Sequence, residues 1–285
     1  MQQINLDDYT LLSRRAYSAN YIKKDGTLMI KTYPEITDDR IAAINHEAEM
    51  SAAVNALGIP TPGSFGLTEI IGGGVAAVFQ NITNKKSISR AVSQDPENME
   101  IYMEKFVKMA RQIHKTIVPP EKREKLIDVA KSLKEAIIGL SDVYTKSEIA
   151  RICDYIDSIP KSDTAVHGDF HPGNFITGDQ GDFAIDIGDF GFGNEIFDWA
   201  HWYYMSHFVP EQGVNEVFHM SAEMIQKCFN YSVAKYFEIT DPLALAEKIA
   251  EFEKLSYFYP ALHVKVRTSV KDDLFEIKSQ SFLGK

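Results

Sequence analysis

The stretch that decides the fold is HGDFHPGN at His167–Asn174, followed twelve residues later by Asp186. Its Pro-Gly pair turns the chain, so that Asp169 and Asn174 can face one cavity, and a following strand can bring Asp186 beside Asn174. Carboxylate and amide oxygens of this kind are hard ligands for Mg²⁺, and one carboxylate remains for a substrate hydroxyl. The spacing therefore indicates phosphoryl transfer, in which an aspartate, with an asparagine five residues later, positions the acceptor.

The composition is that of an ordinary globular protein. The 285 residues are 45% hydrophobic and 25% charged, which excludes a disordered or collagen-like chain. Acidic residues outnumber basic ones by 40 to 30 and give a net charge of -10, so we do not expect a nucleic-acid partner. No apolar run approaches the roughly 20 residues of a membrane span, and the first ten residues lack the apolar core of a secretory signal. These features predict a cytoplasmic protein without a membrane partner.

Residues 1–82 are predicted to form a lobe of short strands around one helix. The turn Asp25-Gly26 between two strand-like runs is a strong signal for a hairpin. The predicted elements are strands over Tyr17–Ile22, Thr27–Tyr33 and Gly72–Gln80, and a helix from Thr37 or Asp38 to Leu57.

Residues 83–285 are predicted to form a mainly helical lobe that carries the catalytic loop and the acceptor site. The expected helices run from Asp95-Pro96 to about Ile113, over 121–140, over 146–158 and from Glu195 onward, with strand pieces at Ala165–His167, Asn174–Thr177 and Phe183–Ile187. The two lobes together define an α+β fold.

The motif resembles that of the aminoglycoside phosphotransferase/choline kinase family, whose members are small-molecule kinases with a protein-kinase-like bilobal fold. The matching residues are the block itself, Ile185-Asp186 and the later Asp198. The resemblance implies ATP or GTP as phosphoryl donor, Mg²⁺, and transfer to a hydroxyl of an aminoglycoside, amino alcohol or sugar-like acceptor. It implies that Asp169 is catalytic, that Asn174 and Asp186 bind the metal, and that Asp198 supports the loop.

A kinase fold also needs a strand lysine for the phosphates and a helix glutamate to hold it. Lys31 lies on the second arm of the predicted hairpin, on the face opposite Ile30. Glu47 shares a partly apolar helical stripe with Ile44, where a carboxylate requires a cationic partner. We therefore expect Glu47 to orient Lys31 and Glu49 to be a solvated helix charge.

The rest of the nucleotide site is less sharply defined. The base is expected near Gln80, Asn81 and Ile82, where the lobes join, through backbone groups. The stretch Leu12–Ser18 stands where protein kinases have a glycine-rich loop but contains no glycine, so Ser13 and Arg14 are equally compatible with phosphate contact and with a surface position.

Asp189-Phe190-Gly191 is a literal D-F-G sequence that competes with Asp186 for the metal. Asp186 has the family's spacing from Asn174, so Asp189 is expected either to close a turn or to orient the substrate.

Three alternatives remain open. A catalytically inactive kinase-like binding protein would lack some of the polar residues above, and here all are present. A two-histidine, one-carboxylate iron site could begin at His167 and Asp169 and end at a distal histidine such as His201, but it requires a β-barrel. The aromatic cluster Trp199–Tyr204 could cage a quaternary ammonium, although such clusters are more often core.

Overall fold

The computed structural model describes residues 3–14, 18–33, 37–141, 144–259 and 282–283. The strands are β1 (Tyr9–Arg14), β2 (Ala19–Lys23), β3 (Leu28–Thr32), β4 (Ser64–Glu69), β5 (Val75–Gln80), β6 (Lys86–Ser87), β7 (Ile127–Asp128), β8 (Ala165–Val166), β9 (Phe175–Gly178), β10 (Gly181–Ala184) and β11 (Gly191–Phe192). The helices are α1 (Asp38–Asn55), α2 (Ile88–Gln94), α3 (Met99–Lys115), α4 (Val129–Ile138), α5 (Lys146–Ser158), α6 (Ile196–His207), α7 (Glu211–Phe218), α8 (Ala222–Phe237) and α9 (Pro242–Ser256).

The chain forms two compact units, each taken over its described residues. Met1–Lys86 and Phe175–Gly188 make the first unit, and Ser87–Asn174 and Asp189–Lys285 make the second. The hairpin β9–β10 therefore groups with the N-terminal strands, although it follows the HGDFHPGN block in sequence.

The first unit contains an antiparallel five-stranded sheet in the order β1-β2-β3-β5-β4. Helix α1 begins after Thr37, whose hydroxyl accepts from the Arg40 amide, and packs Ile44 and Ala48 against Phe79 of β5. The other face of the sheet buries a separate apolar group, Tyr9, Ile30, Ile70, Ala76 and Val78. Because side chains alternate along β3, Ile30 lies on that second face and Lys31 lies on the face covered by α1.

The second unit is mainly helical, with α3, α6, α8 and α9 packed around aromatic side chains. Phe170 lies inside this core, with its ring 4.8 Å from Phe106 and 5.2 Å from Trp199. Trp199 and Trp202 are fully buried and Tyr203 is 7% exposed. The aromatic cluster is therefore core, and these rings do not form an open cage for an ammonium ligand.

Three predicted elements differ from the structure. Residues 121–140 contain a short 3-10 helix, then β7, and α4 only from Val129, because Ile127 pairs in parallel with Gly191 and Asp128 caps the helix through its carboxylate. The long helix starts at Met99 after a separate 3-10 turn at Pro96–Asn98. The strand predicted over Phe183–Ile187 ends at Ala184, since Asp186 adopts a φ of 52° that no strand accommodates.

The remaining elements agree with the sequence patterns to within about three residues; the strand predicted over Gly72–Gln80, for example, begins at Val75, after a turn. The hairpin over Asp25-Gly26 is present, and helix α5 matches the prediction over 146–158. Arg15, Ala16 and Tyr17, which belong to the predicted phosphate-side stretch and to the start of the first predicted strand, lie outside the described residues. No described helix is long and apolar enough to cross a membrane.

Candidate active site

The block His167–Asn174 leaves β8 as a tight loop whose path depends on a glycine. Gly168 has a φ of 85°, and a Cβ at this position would collide with the backbone oxygen of Asp189. The loop then closes through a 3-10 turn at Pro172–Asn174. The predicted Pro-Gly turn is therefore present, and Gly168 brings the loop against Asp189 more closely than any other residue type could.

Asp198, at the start of α6, holds this loop by its backbone. Its two carboxylate oxygens accept the amide hydrogens of His167, at 2.7 Å, and Gly168, at 2.9 Å. The side chain is 1% exposed and lies 2.9 Å from Nε2 of His114. Burial opposes ionisation of Asp198, but the hydrogen bond and charge of His114 outweigh it and hold the pKa below its usual value.

His114 connects Asp198 to two further polar side chains. Its Nδ1 lies 3.0 Å from the hydroxyl of Tyr236, which in turn donates to Oε2 of Glu195 at 2.8 Å. The imidazole of His114 therefore links Asp198 on one side to Tyr236 on the other.

Asp169 projects from the loop with 37% of its side chain exposed. Its Oδ2 accepts from Nδ2 of Asn174 at 2.8 Å, and the same nitrogen donates to the Asp169 carbonyl at 2.9 Å. The two residues expected to work together are thus in direct contact. Burial acts to raise the pKa of Asp169, but neighbouring imidazoles, His171 first among them, lower it well below the ordinary value.

Two histidines flank Asp169. Oδ1 lies 3.4 Å from Nε2 of His171 and 3.6 Å from Nε2 of His201. From the sequence, His201 was expected beside Asp169 only in the iron-site alternative and was not assigned to a phosphotransfer site. The signal was available in retrospect, because His201 lies three residues after Asp198 on α6 and therefore shares its helix face.

Asp169 opens into a cavity of about 430 Å³ in the second unit. Its wall combines polar groups, Ser132, Asp189 and His201, with apolar ones, Ile127, Leu133 and Tyr259. A molecule in this cavity would meet both the Asp169 carboxylate and apolar side chains.

Lys31 and Glu47 meet in the first unit. Nζ of Lys31 lies 2.6 Å from Oε2 of Glu47, and the two side chains are 20% and 22% exposed. Burial acts to lower the pKa of Lys31, but the Glu47 carboxylate and the nearby charge of Asp186 raise it above its ordinary value. Glu49 is exposed and accepts instead from Asn45, which agrees with a solvated helix charge.

Asp186 and Asp189, the two rivals for the metal, belong to different units. Asp186 is exposed, and it lies in the first unit near enough to Lys31 for its charge to help raise the pKa of the lysine. The loop after it is attached to α1, because Nε2 of His46 lies 2.9 Å from the Gly188 oxygen. Asp189 belongs to the second unit and borders the cavity.

The donor set fits Mg²⁺. Nδ2 of Asn174 is used by Asp169, which leaves its Oδ1 as the amide atom able to bind a cation. Within the described ranges, no group of three His, Cys, Asp or Glu side chains is arranged to hold a metal by itself. One or two protein oxygens completed by water and substrate phosphates are the usual arrangement for Mg²⁺.

The predicted base-binding residues are Gln80, the last residue of β5, and the two residues that follow it, Asn81 and Ile82. The amide of Gln80 donates to the Gly63 carbonyl at 2.7 Å, and the amide of Asn81 donates to Thr27 at 3.1 Å. Nδ2 of Asn81 also braces the hairpin through the Gly26 carbonyl at 3.0 Å. Ile82 is 2% exposed. These amides of Gln80 and Asn81 already have internal partners, so a base would depend on the other backbone groups here.

A strand lysine held by a helix glutamate, and a loop aspartate paired with an asparagine, define the class of kinase-like phosphotransferases. The sequence profile of the phosphotransferase enzyme family, which includes the aminoglycoside phosphotransferases, matches residues 8–222. The chain belongs to this family, as the HGDFHPGN motif predicted. The iron-site alternative fails, because the fold is kinase-like and not the β-barrel that it required.

Solved structures show the same fold at low sequence identity. An ethanolamine kinase from Plasmodium vivax is 10% identical with a TM-score of 0.58, covering 97% of this chain and 82% of its own. The GDP and kanamycin complex of the aminoglycoside phosphotransferase APH(2")-IIIa is 10% identical with a TM-score of 0.56, covering 97% and 91%. The ADP and streptomycin complex of APH(3'')-Id from Streptomyces rimosus is 16% identical with a TM-score of 0.52, covering 87% and 92%. No curated protein sequence matches this chain.

Proposed function

We propose that this protein is a magnesium-dependent small-molecule kinase that transfers the γ-phosphoryl group of ATP or GTP to an acceptor hydroxyl. The observation that carries the proposal is the position of Asp169, which faces a cavity while its carboxylate is fixed by Asn174. The ligands of two similar structures, ADP with streptomycin and GDP with kanamycin, support the same reaction class.

Each residue then has a defined task. Lys31, held by Glu47, stabilises phosphate charge. Asn174 and Asp186 would hold Mg²⁺, which would supply further positive charge for the phosphates. Asp169 accepts a hydrogen bond from the acceptor hydroxyl, aligns its oxygen with the γ-phosphorus and takes its proton late. Because neighbouring imidazoles keep the pKa of Asp169 low, positioning contributes more than base strength, as a loose transition state requires.

The acceptor is proposed to be an aminoglycoside, an amino alcohol or a sugar-like alcohol that fits the cavity beside Asp169. The cytoplasmic location and the absence of a nucleic-acid partner stay predictions, as does the division of roles between lobes 1–82 and 83–285.

A thermal unfolding screen tests this proposal. The protein is unfolded with Mg-ATP or Mg-GTP, alone and with a panel of aminoglycosides, amino alcohols and sugars, and acceptors that add a shift are assayed for nucleoside diphosphate release. We expect Asp169→Asn to bind nucleotide normally and to lose turnover. Binding without turnover for every acceptor would favour the inactive kinase-like alternative, and no magnesium-dependent shift would refute nucleotide binding.

A further inference from the structure

The segment between β5 and β6 is held firmly by the turn of the β9–β10 hairpin. The Thr83 amide donates to Oε1 of Gln180 at 3.1 Å, and the Asp179 amide donates to the Thr83 carbonyl at 3.1 Å. The Asp179 carboxylate also accepts from the Thr83 hydroxyl, at 2.9 Å, and from Nδ2 of Asn84, at 2.8 Å. These bonds fix Asn84 in a left-handed conformation, with a φ of 51°, immediately before Lys85.

Close packing against Gly178 of β9 also fixes the segment between β5 and β6. A Cβ at Gly178 would lie 2.6 Å from a methyl carbon of Ile82, 2.8 Å from the Thr83 oxygen and 3.6 Å from the Cα of Lys85. The backbone of β9 therefore approaches this segment so closely that only glycine fits at position 178. This close packing fixes the position of the Lys85 backbone, from which its side chain extends.

The head group of Lys85 has no matching polar partner. Its Nζ lies 3.3 Å from Sδ of Met29, and a thioether is a weak acceptor. Among the described residues, no carboxylate lies within ion-pair distance of Lys85. Burial lowers the pKa of this lysine, and no neighbouring charge offsets the effect. A half-buried amine in this setting is costly unless a ligand supplies acceptors.

Met29 shows which part of a ligand the amine would meet. It shares the α1-covered face of β3 with Lys31, about 7 Å away along the strand. Its partner across the sheet is Phe79, which directly precedes the segment Gln80–Ile82. Lys31 marks the phosphate end of this face, so Lys85 lies at the end where the base is expected.

We propose that Lys85 donates a hydrogen bond to the purine of the donor nucleotide and selects a base with an acceptor at C6, guanine or hypoxanthine, over adenine. Guanine presents O6 and N7 as adjacent acceptors, whereas adenine presents an amino donor beside N7. The lysine ammonium carries three donors and no acceptor, so it can bond to the O6 and N7 edge of guanine, whereas the amino group of adenine presents it with another donor. The inference rests on the proposed function, because it assigns the base of that nucleotide.

Calorimetric titration of Mg-GTP, Mg-ITP and Mg-ATP into the wild type, Lys85→Met and the matched control Lys86→Met tests the assignment. We expect the wild type to bind GTP and ITP about 10-fold more tightly than ATP. Lys85→Met should lose that preference by weakening GTP and ITP alone, and Lys86→Met should keep it, because Lys86 is exposed.

Two results would overturn the assignment. If Lys85→Met lost affinity equally for all three nucleotides, Lys85 would contact the sugar or the phosphates and not the base. If the affinities were unchanged, Lys85 would not contact the nucleotide. A wild type that binds none of them would refute the proposed function itself. The apo unfolding temperature of Lys85→Met serves as the folding check, and it should equal or exceed that of the wild type because methionine suits the contact with Met29.

Discussion

The carboxylate of Asp198 and the imidazole of His114 form a buried pair, 2.9 Å apart, with side chains 1% and 0% exposed. The pair lies beside the loop His167–Asn174, whose first two amides donate to the same carboxylate. The position of Asp169 thus depends on a charge that has been removed from water and satisfied on every side.

We expect Asp198→Asn to destabilise the protein at pH 7 by about 3 kcal/mol, because removing one member of a buried charged network leaves its partners unsatisfied. Urea unfolding measures the loss. The control is Asp157→Asn, which removes an ion pair with Lys134. The Asp157 side chain is 54% exposed, so this substitution should lower the free energy of unfolding by about 1 kcal/mol or less.

The same pair predicts a pH dependence. The pKa of Asp198 is lower in the folded protein than in the unfolded chain, where it is about 4. The ionised carboxylate therefore stabilises the fold fully above about pH 4, and this stabilisation is lost as the pH falls through the pKa of the folded state. The difference in unfolding free energy between wild type and Asp198→Asn should therefore shrink below about pH 4. A constant difference over the acidic range would argue against an ionised Asp198.

Alanine substitutions at Gly168 and Gly26 distinguish the cost of a left-handed backbone from the cost of a steric clash. Both have a positive φ, 85° and 76°, but a Cβ at Gly168 meets the Asp189 backbone whereas one at Gly26 meets no atom within 4 Å. Gly26→Ala should cost about 1–2 kcal/mol, the strain of the left-handed conformation. Gly168→Ala should cost clearly more and abolish activity. Equal unfolding free energies for the two variants would contradict the close approach of the loop to Asp189.

Glu47 and Glu49 lie two residues apart on α1, and Glu47 is the one whose carboxylate contacts Lys31. Glu47→Ala removes the partner 2.6 Å from Nζ and frees the lysine to move, so kcat/KM should fall by about 100-fold. Glu49→Ala, at an exposed position on the same helix, should stay near the wild-type rate. Steady-state kinetics with one acceptor decide the matter, and a large loss in Glu49→Ala would reverse the assignment.

His201 should affect turnover more than nucleotide binding. Its Nε2 lies 3.6 Å from Oδ1 of Asp169 and it borders the cavity, so His201→Ala loosens the carboxylate that positions the acceptor. We expect kcat to fall about 10-fold with little change in KM for the nucleotide. His219→Asn is the control, since His219 ends α7 in a left-handed conformation that asparagine tolerates. An increase in nucleotide KM alone would contradict this role.

Local periodicity explains what could be read from the sequence. Strand alternation placed Lys31 on the face opposite Ile30, and the helical stripe selected Glu47 over Glu49, because both patterns depend on a few neighbouring residues. The β-turn at Asp25-Gly26 is equally local.

Contacts between distant segments explain what could not. The pattern over 121–140 favours a helix, but Ile127 pairs with Gly191, which lies 64 residues later. His114 is buried, and its link to Tyr236 and Asp198 joins three separate helices, α3, α8 and α6, which no local pattern reveals. His201 reaches Asp169 only because α6 is anchored to the loop through Asp198.

Calorimetric titration of Mg-nucleotide into wild type, Asp186→Ala and Asp189→Ala tests the central claim most directly. We expect magnesium-dependent binding that is lost in Asp186→Ala and retained in Asp189→Ala, because Asp186 lies near Lys31 in the first unit and Asp189 borders the cavity of the second. Loss of binding in Asp189→Ala with normal binding in Asp186→Ala would contradict the proposed metal site.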